Sequence, residues 1–327
     1  MAHSRESAAF FLPYLTKEFW ISFYGGEPLL DFSLIRQVVS FLGSYDHNRT
    51  ICYSITTNGS LINADILDFF KNNRFTVTLS FDGFAQNEQR KQGSFIPTIS
   101  LIKKIKKIPS IKFNVNSVFS WKNIHLLSQS LKLIMDLGVK NINFALAVNQ
   151  IWPETAILIL EKELKKLNVV LLTRHKNKEW IPLSDFREFV NQPENRGQFY
   201  CAAGKDRLSI TPDGRIWGCY LFPEYYKQKG KKSEAKKYLF GDLQKFSQNP
   251  DEIYKRTMVH YQQLTMENYS VPSRNCFLCP EIENCDVCPV ITAYSTEKIG
   301  QIPEFVCRIK KISIQAKKNF LYELKRL

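Results

Sequence analysis

The first two-thirds of this chain has almost no sulfur chemistry to offer. Of eight cysteines in 327 residues, only Cys52 precedes residue 201, and there are only five histidines in all. None of those histidines lies near the seven later cysteines, so a metal held there is held by thiolate alone. Long hydrophobic runs are also missing. No apolar stretch approaches the roughly eighteen residues that a membrane span needs. The segment MAHSRESAAFFLPYL has only a short apolar run, broken by Pro13, and no secretory h-region. A membrane partner is not expected, and the expected compartment is the cytoplasm. A disulfide framework suits small domains in oxidising compartments, whereas this chain is long enough to bury a full core and to carry more than one domain. Disorder is excluded by 44% hydrophobic and 13% aromatic content.

The net charge is +14, from 45 Lys+Arg against 31 Asp+Glu. The lysines are spread along the chain and match no nucleic-acid-binding motif. The runs Lys103-Lys104-Ile105-Lys106-Lys107 and Lys231-Lys232 read as solvated helix faces or loops. A nucleic-acid partner is therefore not expected, and the basic balance leans towards an acidic peptide or an anionic cofactor.

What is present is a cysteine array: Cys201, Cys219, Cys276, Cys279, Cys285, Cys288 and Cys307. Thiolates two residues apart can face one soft metal from a single short loop, so the array says metal. Structural zinc is one reading, because paired C-x2-C loops are its usual anchors. Iron–sulfur is the other, supported by Pro280 and Pro289 directly after Cys279 and Cys288.

The first half alternates strand-like and helix-like patterns. Strands are expected at 19–24, 51–56, 75–81, 111–115 and 142–148. Helices are expected at 31–41, 62–70, 97–107, 122–137 (closed by Gly138) and 154–167. Such βα units build a parallel sheet or barrel, with function at the carboxyl ends of the strands. Three polar turns fall at those ends: Tyr24-Gly25-Gly26-Glu27-Pro28, Thr57-Asn58-Gly59-Ser60 and Asp82-Gly83. A Gly-Gly pair leaves the backbone bare for a ligand, and Glu27 adds an acceptor suited to an ammonium. Residues 174–200 and 222–270 match no pattern. Tyr225, Tyr226, Lys227 and Lys229 read as a solvated insertion or as substrate contacts. The amphipathic pattern over 308–326 predicts a helix packed on the barrel.

YGGEPLL at 24–30, TTNGSLI at 56–62 and SFDG at 80–83 resemble the core of radical S-adenosylmethionine (radical SAM) enzymes. The array resembles the SPASM extension of their peptide- and protein-modifying members, with Gly214 to Cys219 supplying its G-x4-C. The resemblance covers nearly the whole chain, from about residue 8 to 307. It implies an α/β fold, a partial (β/α)6 TIM-like barrel followed by a small cysteine-rich domain. The implied division is a radical SAM core over 1–175, a linker over 176–199 and a SPASM domain with a C-terminal helix over 200–327. S-adenosylmethionine would meet Gly25, Gly26 and Glu27, with Asn58, Ser80 and Arg90 on the same rim. Two auxiliary [4Fe–4S] clusters are implied. One would be held by Cys276, Cys279, Cys285 and Cys307. The other would be held by Cys201, Cys219 and Cys288, with one iron open or bound by a non-thiolate ligand. The implied chemistry is hydrogen abstraction by a 5′-deoxyadenosyl radical. The implied partners are a ribosomal peptide or protein substrate and an electron donor such as a flavodoxin or ferredoxin.

The departures are specific. The C-x3-C-x2-C that binds the family's catalytic cluster is absent. Cys52 lies inside an expected strand and reads as a small buried apolar residue. Five strands are counted where the family has six. The first strand and its cysteine loop are expected before residue 1, lost through a truncated reading frame, supplied by a partner chain, or gone in a non-catalytic remnant. Without them 19–23 is an exposed apolar edge, and the chain alone is expected to be inactive. The alternative function is a non-catalytic iron–sulfur or zinc protein that binds a peptide or partner. Glu88-Gln89 and Gln92 replace the family's His-Asp and arginine, Tyr220 follows Cys219, and the Cys285–Cys288 spacing is one residue short.

Overall fold

Runs of β-branched and aromatic residues between helical stretches give this chain a single parallel sheet. The computed structural model describes residues 16–45, 49–191, 201–230, 233–272 and 274–327. Strands β1 (Glu18–Phe23), β2 (Thr50–Thr57), β3 (Thr76–Ser80), β4 (Lys112–Phe119) and β5 (Ile142–Leu146) pair in parallel in chain order. The sheet curls into a half-barrel. Among the described residues β1 has β2 as its one neighbour, and Trp20 on it is 52% exposed. At the other edge Leu183 bridges to Ile142 in parallel, a one-residue start of a sixth strand.

Helices α1 (Phe32–Tyr45), α2 (Ala64–Asn72), α3 (Phe95–Ile105) and α4 (Leu127–Asp136) fill the crossovers between these strands. Ile35, Val38, Val39 and Leu42 of α1 and Ile66, Leu67 and Phe70 of α2 pack on Phe19, Tyr53, Ile55 and Val77 of the sheet. The helix expected over 122–137 is shorter: Ile124–Leu126 form a 3-10 turn before α4. Gly138 closes α4 as expected, with φ +76° and its N–H on Met135 O at 2.8 Å. Helix α5 (Glu154–Lys176) runs nine residues past the expected end at 167. The range expected as a linker carries structure over its described part, since α6 (Ser184–Asn191) follows the Leu183 bridge. Residues 192–199 lie outside the described residues.

The second half begins with an antiparallel sheet of β6 (Ser209–Ile210), β7 (Arg215–Trp217) and β8 (Leu239–Asp242), with α7 (Leu221–Lys229), α8 (Leu243–Gln248) and α9 (Pro250–Gln262). The hairpin β9 (Ser270–Val271) and β10 (Arg274–Asn275) leads into the cysteine loops, then α10 (Pro289–Thr296) and α11 (Glu304–Leu324). Tyr225 is core, 1% exposed and edge-on to Tyr294, so it is neither a solvated residue nor a substrate contact. Tyr226 is half-buried against Trp217.

Helix α11 packs back on the half-barrel as expected. Asn168 Nδ2 of α5 donates to Ala316 O at 2.8 Å, and Arg308 pairs with Glu154. Buried Lys317 pairs with Asp185 at 2.9 Å. One continuous apolar cluster joins β3 to β5 with the cysteine-rich half. Among the described residues no helix is long and apolar enough to cross a membrane.

Candidate functional site

The sheet has two chemically different faces. Tyr53, Ile55, Val77, Leu79, Val115 and Phe119 are buried, while Ser54, Thr78, Asn114 and Asn116 on the opposite face are half-buried and polar. The register aligns Ser22 with Ser54 and Thr76, Thr56 with Thr78 and Asn114, and Ser80 with Asn116 and Asn143. Ser22 and Ser54 hydroxyls meet at 2.6 Å. A parallel sheet buried on both sides reads as continuous Val, Ile and Leu, so this alternation marks a face that lines a polar cleft. The signal was available in the sequence as Thr-Val-Thr-Leu-Ser and Asn-Val-Asn-Ser. Cys52 lies in this second set and is half-buried, with its thiol 3.9 Å from Glu18 Oε1. It is not the buried apolar residue expected.

The three rim turns are built differently from one another. Gly25 and Gly26 open onto empty space: a Cβ added at either meets nothing within 4 Å. Glu27 directs its carboxylate across to the next loop. It accepts the Thr57 hydroxyl at 2.7 Å, the Asn58 N–H at 2.8 Å and the Leu29 N–H at 3.1 Å. It therefore clamps the first rim loop to the second. Asn58 is exposed and closes its own turn by accepting the Ser60 N–H at 2.8 Å. Gly59 and Gly83 are packing positions. Both have positive φ, and a Cβ at Gly59 would stand 2.6 Å from Leu79 and Leu101 side-chain atoms.

Ser80 ends β3 on the polar face, half-buried. Arg90 is tied to fully buried Asp82 in a two-pronged pair, Nε to Oδ2 at 2.7 Å and Nη2 to Oδ1 at 3.0 Å. Asp82 also accepts the Val118 N–H at 2.8 Å. Two of the five guanidinium donors are thus committed to the fold.

The cysteines fall into two groups. Cys276, Cys279, Cys285 and Cys307 line one partly open cavity, with Met266, Val271 and Ile302. Successive turns place the first three: the Cys279 N–H bonds Cys276 O at 3.0 Å, Ile282 bonds Cys279 O at 3.0 Å, and Cys285 bonds Ile282 O at 3.2 Å. Cys307 comes from the first turn of α11.

Cys201, Cys219 and Cys288 form the second group and act on one another through space. Gly204 and Gly218 draw the first two loops together, Gly204 N–H to Gly218 O at 3.0 Å. Gly218 has no room for a side chain, since a Cβ would lie 2.6 Å from Gly204 N and the Tyr261 ring. Cys288 caps α10. Burial pushes the Cys285 and Cys288 thiols up to about 11, and raises Cys201 and Cys219 as well.

Among the described residues, no three His, Cys, Asp or Glu side chains stand close enough to grip a single metal ion. Tetrahedral zinc needs sulfurs about 3.8 Å apart, given its Zn–S length.

Sequence reasoning missed an aromatic contact that joins the rim to the array. Tyr24, beside Gly25, meets Tyr220, beside Cys219, with ring centroids 4.2 Å apart. Burial raises the Tyr220 phenol, with Tyr24 adding to it.

No family model matches the chain. The cysteine-type anaerobic sulfatase-maturating enzyme of Clostridium novyi is 34% identical over 105 residues, 30% of this chain and 28% of that protein. The radical SAM cyclopropyl synthase TigE of Paramaledivibacter caminithermalis is 26% identical over 223 residues, 62% of this chain and 44% of that protein. An uncharacterized protein of Methanocaldococcus jannaschii is 32% identical over 146 residues, covering 43% of this chain and 51% of that protein. The chain thus spans between about a quarter and a half of the curated relatives it matches. Among solved structures, anSMEcpe with bound AdoMet superposes with a TM-score of 0.75 at 16% identity, over 99% of this chain and 85% of that one. Streptococcus suis SuiB bound to precursor peptide SuiA gives 0.56 at 16% identity, over 94% of this chain and 68% of that one.

The fold is therefore that of anSMEcpe. The resemblance read from the three rim motifs and the array stands, with anaerobic sulfatase-maturating and cyclopropyl-forming enzymes among the chain's relatives.

Proposed function

We propose that this chain is the core of a radical SAM maturase that modifies a ribosomal peptide or protein. The observation that carries the reading is the open Gly25-Gly26 rim at the mouth of a polar sheet face, joined through Tyr24 and Tyr220 to a two-group cysteine array. S-adenosylmethionine held at this rim would supply a hydrogen-abstracting radical once it received an electron. The bare backbone at Gly25 and Gly26 receives the methionine end, and Glu27 fixes that loop against Thr57 and Asn58. Ser80 and Asn58 would supply polar contacts on the same rim, and Arg90 would offer there the donors that its Asp82 pair leaves over. Cys276, Cys279, Cys285 and Cys307 would hold one auxiliary [4Fe–4S] cluster. Cys201, Cys219 and Cys288 would hold a second with one iron left for another ligand. The core spans 1–175 and the cysteine-rich domain 200–327, with a flavodoxin or ferredoxin as electron donor.

The sequence has no C-x3-C-x2-C. The radical chemistry therefore requires three further thiolates, and the chain by itself is inactive in this reading. The test is a fusion that places a C-x3-C-x2-C strand unit ahead of residue 1, reconstituted without oxygen. Formation of 5′-deoxyadenosine from S-adenosylmethionine under dithionite supports the proposal. A cluster-loaded fusion that never cleaves the cofactor overturns it and leaves a non-catalytic metal protein.

A further inference from the structure

Around the cavity of Cys276, Cys279, Cys285 and Cys307, the Lys310–Asp286 pair is fastened to the ligand segments themselves. Lys310 lies one turn beyond Cys307 on α11 and lines the cavity. Its ammonium donates to Asp286 Oδ1 at 2.6 Å, and Asp286 directly follows Cys285. Lysine and carboxylate thus bridge two of the four thiol-bearing segments. Their side chains are 28% and 57% exposed. Lys310 also acts through space on the Cys285 sulfur. Met266, Val271, Ile302 and Ile314 make up much of the remaining lining, so the inner side of the pair faces apolar surface while solvent screens its outer side in part. Other charged groups face the pair from neighbouring elements. Lys317 of α11 acts on Asp286, and Asp185 of α6 acts on Lys310. Lys318 pairs with cavity-lining Glu281 at 2.7 Å.

An electron added to a cluster in this cavity adds negative charge beside Lys310 and Asp286. A nearby ammonium stabilises that charge and a nearby carboxylate opposes it. We propose that Lys310 and Asp286 together set the reduction potential of the centre held by Cys276, Cys279, Cys285 and Cys307, Lys310 raising it and Asp286 offsetting that pull. They are positioning residues, since neither supplies a ligand. The inference rests on the reading of this centre as iron–sulfur.

The test uses the full chain, reconstituted anaerobically with iron and sulfide and assayed for both. Dithionite and mediators then titrate the clusters while electron paramagnetic resonance follows the reduced forms. Lys310→Met should lower the midpoint of one cluster signal, Asp286→Asn should raise it, and the double variant should return close to wild type. Each single change should alter the reduced-to-oxidised ratio at the wild-type midpoint by about tenfold. Lys310→Arg keeps the charge and should keep the midpoint. The signal of the second cluster should not move. A loosened fold would not shift the two single variants in opposite directions, so shifts of the same sign, or none, overturn the inference. Wild-type chain that takes up zinc, or no iron and sulfide, defeats the underlying reading, a result seen before any titration begins.

Discussion

Gly83 of the SFDG motif offers a quantitative test of why the third rim turn needs glycine. Its φ is +59°, and an added Cβ would lie 2.5 Å from Ser130 Cβ and 2.8 Å from Ser130 Cα. Ser130 is fully buried in α4, and its Oγ accepts the Phe84 N–H at 3.1 Å. The helix backbone cannot swing aside as a flexible side chain would. Gly83→Ala therefore meets two costs, a left-handed backbone of about 1–2 kcal/mol and overpacking of about 1–3 kcal/mol. Gly93→Ala is the matched control, with φ +79° and nothing within 4 Å of the new methyl. It should show only the backbone cost. Urea unfolding followed by tryptophan fluorescence should place Gly83→Ala about 1–3 kcal/mol below Gly93→Ala. If the two variants agree within about 0.5 kcal/mol, the close approach to Ser130 is wrong.

Glu27→Ala strands the Thr57, Asn58 and Leu29 donors and should cost about 2–3 kcal/mol in the same urea experiment. Glu27→Gln, which can keep some of these bonds, should cost less. Arg90→Met leaves the Asp82 carboxylate buried without its cation and should destabilise by about 3–5 kcal/mol, whether or not a cofactor is present. A loss confined to cofactor binding would show that Asp82 does not depend on the pair. Glu163 should make the fold acid-sensitive. Burial alone would raise its carboxyl, but hydrogen bonds from Lys166 and Ser128 outweigh burial and hold it below its ordinary value. Its contribution is present above the unfolded-state value and is lost as pH falls through the lower folded one. Glu163→Gln should therefore flatten the acid limb of the stability profile, as measured by urea midpoints from neutral pH downwards. Cys279→Ser should remove the iron of one centre and leave the other, read as a fall in bound iron to about half.

The strands were legible because β-branched and aromatic runs carry their own signature, and all five were located within a few residues. Gly138 was legible for the same local reason, as a residue suited to φ +76° just after a helix. What the sequence hid depends on residues far apart. Helix α5 continues through Asn168-Val169-Val170, a poor helical stretch, because Asn168 and Leu171 are buried, with Asn168 bonded to Ala316 of α11. Leu183 looked like linker because its partner, Ile142, lies forty-one residues upstream. Glu27 read as an open acceptor because nothing local reveals that the parallel register of β1 and β2 brings Thr57 and Asn58 under it. Arg90 read as a rim cation although Asp82 is only eight residues away, because spacing alone does not tell that the intervening turn folds the carboxylate back under the guanidinium. The polar sheet face is written in the alternation of β3 and β4, but only their pairing with Ser22 and Ser54 makes it continuous. The rim motifs themselves were found because each is a short run whose residues act near one another in the chain.

Cys52 gives the experimenter a built-in gauge. It stands on β2 in the half-barrel, with Glu18 beside it, and belongs to neither thiol group of the second half. Once seven sulfurs are claimed by inorganic partners, it alone should still react with a thiol reagent, whereas metal-stripped, unfolded protein should report all eight. Counting reactive thiols thus measures how fully a preparation is charged, and a spectator side chain becomes its meter.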